Sequence, residues 1–135
     1  MAHTRRKLAE LDPVWAQIAQ EAKAAIADEP LLGGLVHSSV LHHETFESAL
    51  AYRISLKLTS NEMPEQILRE ICDKALASDP EIGLAARADI VAVNDRDPAC
   101  DRFLLPLLFF KGFQAIQAYR IAHWLWTTGR RDLAR

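Results

Sequence analysis

Residues 94–120, "NDRDPACDRFLLPLLFFKGFQAIQAYR", decide how this chain is read. Their first third interleaves Asp95, Asp97 and Asp101 with Arg96 and Arg102, and an apolar run follows directly. The periodicity predicts a helix from Pro106 to about Thr127, yet its apolar residues do not keep to one side. Phe109, Phe113, Ile116 and His123 form one stripe, and Phe110, Ile121, Trp124 and Leu125 form another. Leu108, Ala115, Tyr119 and Trp126 spread further round. Lys111, Gln114, Gln117 and Arg120 recur every three residues, so at about 100° per residue they drift by about 60° at each step and wind around the cylinder. A helix without an intact polar face belongs inside a larger body or against another subunit. Lys111, Arg120 and two glutamines are too costly in hydrocarbon for this to be a membrane span.

The segments before it carry helix punctuation. In "DPVWAQIAQEAKAAIADEP", Asp12 is a predicted N-cap, Pro13 sits at the first helical position, and Val14, Ile18, Ala22, Ala25 and Ile26 follow at helical spacing. Pro30 and the Gly33-Gly34 pair are expected to break the pattern before a second helix from about Leu35 to His42. "ETFESALAYRISLKL" repeats Phe46, Leu50, Ile54 and Leu58 every four residues. "SNEMPEQILREICDKALASDP" places Pro64 at a predicted first helical position, with Ile67, Leu68, Ile71 and Ala75 on the apolar side. "PEIGLAARADIVAVN" predicts one more helix before the polar loop.

With 5 glycines and no Asn-Gly or Asp-Gly signal, strands have little to build on. The expected fold is all-α, a compact multi-helix, bundle-like domain over residues 11–135, preceded by a flexible N-terminus over residues 1–10. A chain of 135 residues supports one core. A net charge of -2 excludes nucleic-acid binding driven by charge alone. "MAHTRRKLAELDPVW" has no apolar stretch behind its cations, so a cytoplasmic protein is expected. Cys72 and Cys100, without a CxxC pair or a His/Cys cluster, read as reduced structural thiols, with Cys100 near enough to charge to be the more reactive.

Within the polar loop, Pro98 pushes Asp97 toward an extended backbone. Its carboxylates suit two roles. They can cap the next helix or pair with the adjacent arginines. Alternatively, one of them can hold an ammonium group at the rim of a cleft. Spacing leaves both open. Adjacent His42 and His43 before Glu44 diverge on a helix and lack a second ligand one turn away, so no metal site is expected. His123 reads as a hydrogen-bonded core histidine and not as a base. Arg130, Arg131 and Arg135 read as complements to a helix C-terminus.

The combination of "DPVWAQIAQEAKAAIADEPLL", "LHHETFESALAYRISLKL", "ASDPEI", "ADIVAVNDRDPACDRFLLPLLFFKGFQAIQAYRIAHWLW" and "GRRDLAR" resembles the N-terminal helical domain of bacterial serine O-acetyltransferases. Its most specific parts are Arg96-Asp97-Pro98-Ala99 and the run from Lys111 to Trp126. The resemblance implies a family that transfers acetyl from acetyl-CoA to the L-serine hydroxyl, giving O-acetyl-L-serine on the way to cysteine. It also implies a second domain, a left-handed β-helix of hexapeptide repeats that holds acetyl-CoA and the catalytic histidine. No such repeat occurs in these residues, so the chain looks like a member cut where the β-helix would begin. No catalytic, cofactor-binding or metal-binding residue is therefore expected in it, and alone it is expected to be inactive.

The resemblance assigns Asp97 to the serine site, with feedback inhibition by L-cysteine acting at the same place. Asp95 and Asp101 stay structural. It further implies self-association, since family members assemble through this domain as hexamers, dimers of trimers. No nucleic-acid or membrane partner is implied. A different class of reading keeps the same helices as a stand-alone interaction or regulatory module without catalysis.

Overall fold

The computed structural model describes residues 11–134, so the expected flexible terminus over residues 1–10 lies outside the described residues. Asp12 opens α1 (Pro13–Asp28) as its spacing predicts: its Oδ1 accepts the Trp15 amide at 3.2 Å, and Pro13 occupies the first turn, where no amide is needed. After a 3-10 turn at Pro30–Leu32, the glycine pair does not break the chain but begins α2 (Gly33–Val36). Gly33 is right-handed helical, and no residue near it needs a positive φ. The helix then widens over His37–Leu41 into a π-turn, in which the His42 amide reaches back five residues to His37 O at 2.8 Å.

Thr45 caps α3 (Phe46–Leu58) by accepting the Ser48 amide. Helix α4 (Glu65–Ser78) starts one residue later than predicted, because Pro64 is extended and serves as the cap position. Asp79 both ends α4 and, through its carboxylate on the Glu81 amide, starts α5 (Pro80–Arg96). Helix α5 runs two residues past the predicted Asn94, which takes Asp95 and Arg96 out of the loop. The predicted final helix is two helices, α6 (Leu104–Phe109) and α7 (Lys111–Thr127), separated by Phe110 in an extended conformation. A short α8 (Arg131–Ala134) follows the turn at Gly129, whose φ of 87 requires glycine. Among the described residues every regular element is helical.

Helix α3 is the central element. Phe46, Leu50 and Ile54 are buried in its apolar stripe, each worth about 1.5–3 kcal/mol of burial, whereas Leu58 at the end of that stripe is exposed. Trp15 from α1 meets Phe46 edge-on at 6.3 Å and satisfies its indole N–H on the Glu44 carbonyl. Ile18 and Ala22 from α1, Val36 and Val40, Cys72 and Ala75 from α4, Ile82, Ala86 and Ile90 from α5, and Leu104 and Leu107 from α6 complete the core. Ile67, predicted on the apolar side of α4, is exposed. Helix α7 packs on α3, α4, α5, α6 and α8. Gly83 in α5 leaves room for the Glu47 side chain of α3, since a Cβ there would stand 2.9 Å from Glu47 Oε1. That carboxylate is in turn 2.7 Å from Arg87.

The absent polar face of α7 has a specific form. Gln114 and Gln117, two of the polar residues that wind around the helix, are buried, while Ile116 and Tyr119 are exposed. Each glutamine turns inward because it has an internal partner: Leu107 O at 2.9 Å for Gln114, and Asp89 at 2.8 Å for Gln117. His123 is exposed and stacks on Tyr119 at 6.3 Å, which corrects the expectation of a core histidine.

Candidate functional site

A surface cleft of about 680 Å³ lies between the C-terminal half of α5 and the α6–α7 junction. One wall is a single face of α5, on which Asp89, Val93, Arg96 and Asp97 recur at three- and four-residue spacing. The opposite wall is Phe110 and the first turns of α7, namely Lys111, Gly112, Phe113 and Ile116. No side chain caps that first turn. Two carboxylates and two cationic side chains thus share a cleft whose remaining surface is mainly apolar.

Asp97 terminates α5 with φ -100 and ψ 113, the extended conformation that the following proline imposes. Its amide closes the helix on Val93 O at 2.9 Å, and its carbonyl accepts the Cys100 amide at 2.9 Å. The side chain folds over the turn, where Oδ1 accepts the Ala99 amide at 2.9 Å. Among the described residues no ion pair engages this carboxylate, and the residue is exposed. It stands at the rim of the cleft, open to an incoming ammonium group.

The rest of the loop is fastened by residues the sequence did not single out. Asn94 Nδ2 donates to Cys100 O at 3.0 Å, and Cys100 itself is buried. Helix α6 is capped from a distance: Glu21 of α1 accepts the Phe103 amide through both carboxylate oxygens, at 3.0 and 3.2 Å. Burial raises the Glu21 pKa above its ordinary value, against the lowering effect of those backbone amides. The loop acids therefore do not cap the next helix. Asp95 is exposed, and Asp101 lies 3.8 Å from Arg102 in a solvated pair. Sequence reasoning could not find Glu21, because the cap spans 82 positions.

Asp89 was also missed. Its Oδ2 accepts from Gln117 Nε2 at 2.8 Å and from Arg120 Nη1, which also bonds Gln117 Oε1 at 2.7 Å. This triad ties α5 to α7 beneath the cleft. The signal that could have shown it is the three-residue spacing of Gln117 and Arg120, one turn beyond Phe113 and Gln114 on α7. His37, His42, His43 and His123 do not line the cleft, and His3 lies outside the described residues. Both thiols are free and buried, and burial pushes the Cys72 thiol up to about 11, far from reactivity.

This geometry has close counterparts. The family profile described as "Serine acetyltransferase, N-terminal" matches residues 14–118. The chain is similar to the serine acetyltransferase of Salmonella typhimurium, 50% identical over 125 residues that cover 93% of this chain and 46% of that protein. It superposes on the solved serine acetyltransferase of Neisseria gonorrhoeae in complex with serine with a TM-score of 0.86 at 50% identity, covering 90% of this chain and 50% of that one. On the Brucella abortus serine acetyltransferase in complex with coenzyme A the TM-score is 0.88 at 42% identity, covering 94% and 51%. The chain spans about half the length of the curated relatives it matches. Its helical fold and matched residues together establish that the chain belongs to the serine acetyltransferase N-terminal domain family.

Proposed function

We propose that this chain, over residues 11–135, is the N-terminal helical domain of a serine O-acetyltransferase, an enzyme that moves the acetyl group of acetyl-CoA to the L-serine hydroxyl. The observation that carries the reading is Asp97, an exposed carboxylate, unpaired among the described residues, at the rim of a cleft, in a domain whose relatives bear the serine acetyltransferase name. In this role Asp97 holds the α-ammonium of serine. Its Oδ1 is already oriented by the Ala99 amide, so the carboxylate loses little freedom when the substrate arrives. With the ammonium fixed, the serine hydroxyl is presented to a general base that takes its proton as the oxygen attacks the thioester carbonyl, and CoA leaves as the thiol. On this reading the general base and the acetyl-CoA site belong to the part of the enzyme that meets the cleft. L-cysteine shares the ammonium and carboxylate of serine, so Asp97 serves feedback inhibition as well.

The exposed edge of α7, with Ile116 and Tyr119, supports self-association of the domain in the complete enzyme. No described helix is long and apolar enough to cross a membrane. The two free thiols suit a reducing compartment such as the cytoplasm.

Asp97→Ala in the complete enzyme tests the site. The KM for serine is expected to rise by about ten- to a hundredfold, the loss of about 1.5–3 kcal/mol for a charge-assisted hydrogen bond, with the KM for acetyl-CoA unchanged. A serine KM equal to that of the unaltered enzyme would remove Asp97 from the site.

A further inference from the structure

Arg53 of α3 is 4% exposed and, among the described residues, pairs with no carboxylate. Its Nη2 donates to the Leu108 carbonyl at 2.8 Å and its Nη1 to Ser39 Oγ at 3.3 Å, while Nε has no partner. A buried guanidinium held by a carbonyl and a hydroxyl is an expensive way to fill a core position, so its partner is informative. Leu108 lies in the last turn of α6, where carbonyls lose their helical partners because the chain departs at Phe110. The neighbouring orphan, Leu107 O, is taken by Gln114 Nε2 at 2.9 Å, and Gln114 is 6% exposed. Two buried polar side chains from different helices thus satisfy the two consecutive carbonyls that a continuous helix would have bonded to the amides of Lys111 and Gly112. Those freed residues, with Phe110, form the wall of the cleft that faces the α5 wall bearing Asp97.

We propose that Arg53 and Gln114 are positioning residues for the serine site: by holding the α6–α7 break open they set the wall against which the substrate is seated at Asp97. This rests on the proposed function. Without their hydrogen bonds, the cheapest repair for the two buried carbonyls is to recover helical amides from Lys111 and Gly112, which straightens the junction and withdraws the wall.

In the complete enzyme, Arg53→Met and Gln114→Leu are each expected to raise the serine KM by about tenfold or more, the scale on which a displacement near one ångström acts. The KM for acetyl-CoA is expected to stay within about twofold, because uniform damage to the fold would move both. Arg53→Lys, which keeps one donor for the Leu108 carbonyl, should recover most of the serine affinity. An unchanged serine KM in the folded variants, an equal rise in both KM values, or no recovery by lysine overturns the inference. Asp97→Ala measured alongside separates the two claims. If it leaves the serine KM unchanged, the site itself is wrong and the inference goes with it. If it raises the KM while the Arg53 and Gln114 variants do not, only the positioning role is wrong. Should Arg53→Met fail to fold, Gln114→Leu, which deletes a single neutral donor, decides alone.

Discussion

His43 is held as the neutral imidazole chiefly by its burial. Ser38 O, 2.9 Å from Nε2, can only accept, so Nε2 carries the proton and bare Nδ1 accepts the Ser48 hydroxyl at 2.8 Å. Arg69 donates to that same hydroxyl at 2.9 Å, which commits the Ser48 proton to His43. Burial lowers the His43 pKa below 6.5, Arg69 and His42 add to the lowering, and the Ser38 carbonyl and Asp73 oppose it. The unfolded chain therefore binds a proton at His43 more readily than the folded one. The stability contributed by neutral His43 is complete above about pH 6.5 and is lost as the pH falls toward the folded value. Burial raises the pKa of Glu21, so its contribution runs the other way, gaining as the pH falls toward 4.5. Comparison with His43→Gln, which keeps a polar side chain but does not titrate, isolates the histidine. Thermal melts between pH 8 and pH 5 should show the unaltered chain losing more stability than the variant, and parallel curves would refute the assignment. None of this was legible from "HHE", since Ser38, Ser48 and Arg69 reach His43 from three separate segments.

At the level of elements, the helix starts were largely readable because caps are local. Asp12 and Asp79 each bond an amide within three residues, and a pattern three residues long is visible in one dimension. Asp12 also illustrates what such a pattern omits. Its carboxylate takes a bidentate pair from Arg87 on α5, at 2.7 and 3.2 Å, and Arg87 continues to Glu47 on α3 while lying 4.6 Å over the Phe46 ring. Burial pulls the Arg87 pKa down, but the bonds to Asp12 and Glu47 outweigh it and hold the group charged. Asp12→Ala removes both cap and bridge and is expected to cost about 1–3 kcal/mol, read as a fall of several degrees in melting temperature. Asp12→Asn keeps the cap and should cost clearly less. Equal losses in the two variants would mean that the bridge, not the cap, carries the effect. The division of the last helix at Phe110 had no such local mark, because the Leu108 carbonyl it frees is satisfied by Arg53, which lies 55 positions away.

For the molecule as a whole, α7 is unusual in burying glutamines and exposing an aliphatic and an aromatic side chain. Tyr119 is 70% exposed and Ile116 49%, on the helix that packs against most of the others. If this edge mediates self-association as proposed, the 135-residue chain should sediment faster than a monomer at micromolar concentration. The double variant Ile116→Glu, Tyr119→Glu should sediment as a monomer, because two carboxylates at a closed apolar contact are not desolvated cheaply. A monomeric unaltered chain would show that this edge is not sufficient for assembly.

The sequence by itself determined the helical class, most helix starts, the extended backbone at Asp97 and the family. Each of these depends on periodicity, capping residues and proline geometry acting over a few neighbouring positions, or on motifs contiguous in the chain. Only the tertiary structure decided which side of α7 is inside, where the last helix divides, and which groups hold the loop around Asp97. Those outcomes depend on donors and acceptors finding each other across the core: Glu21 accepting from the Phe103 amide, Arg53 donating to the Leu108 carbonyl, and Gln117 donating to Asp89. A buried polar group must be satisfied wherever a partner lies, and chain order does not record how far away that is.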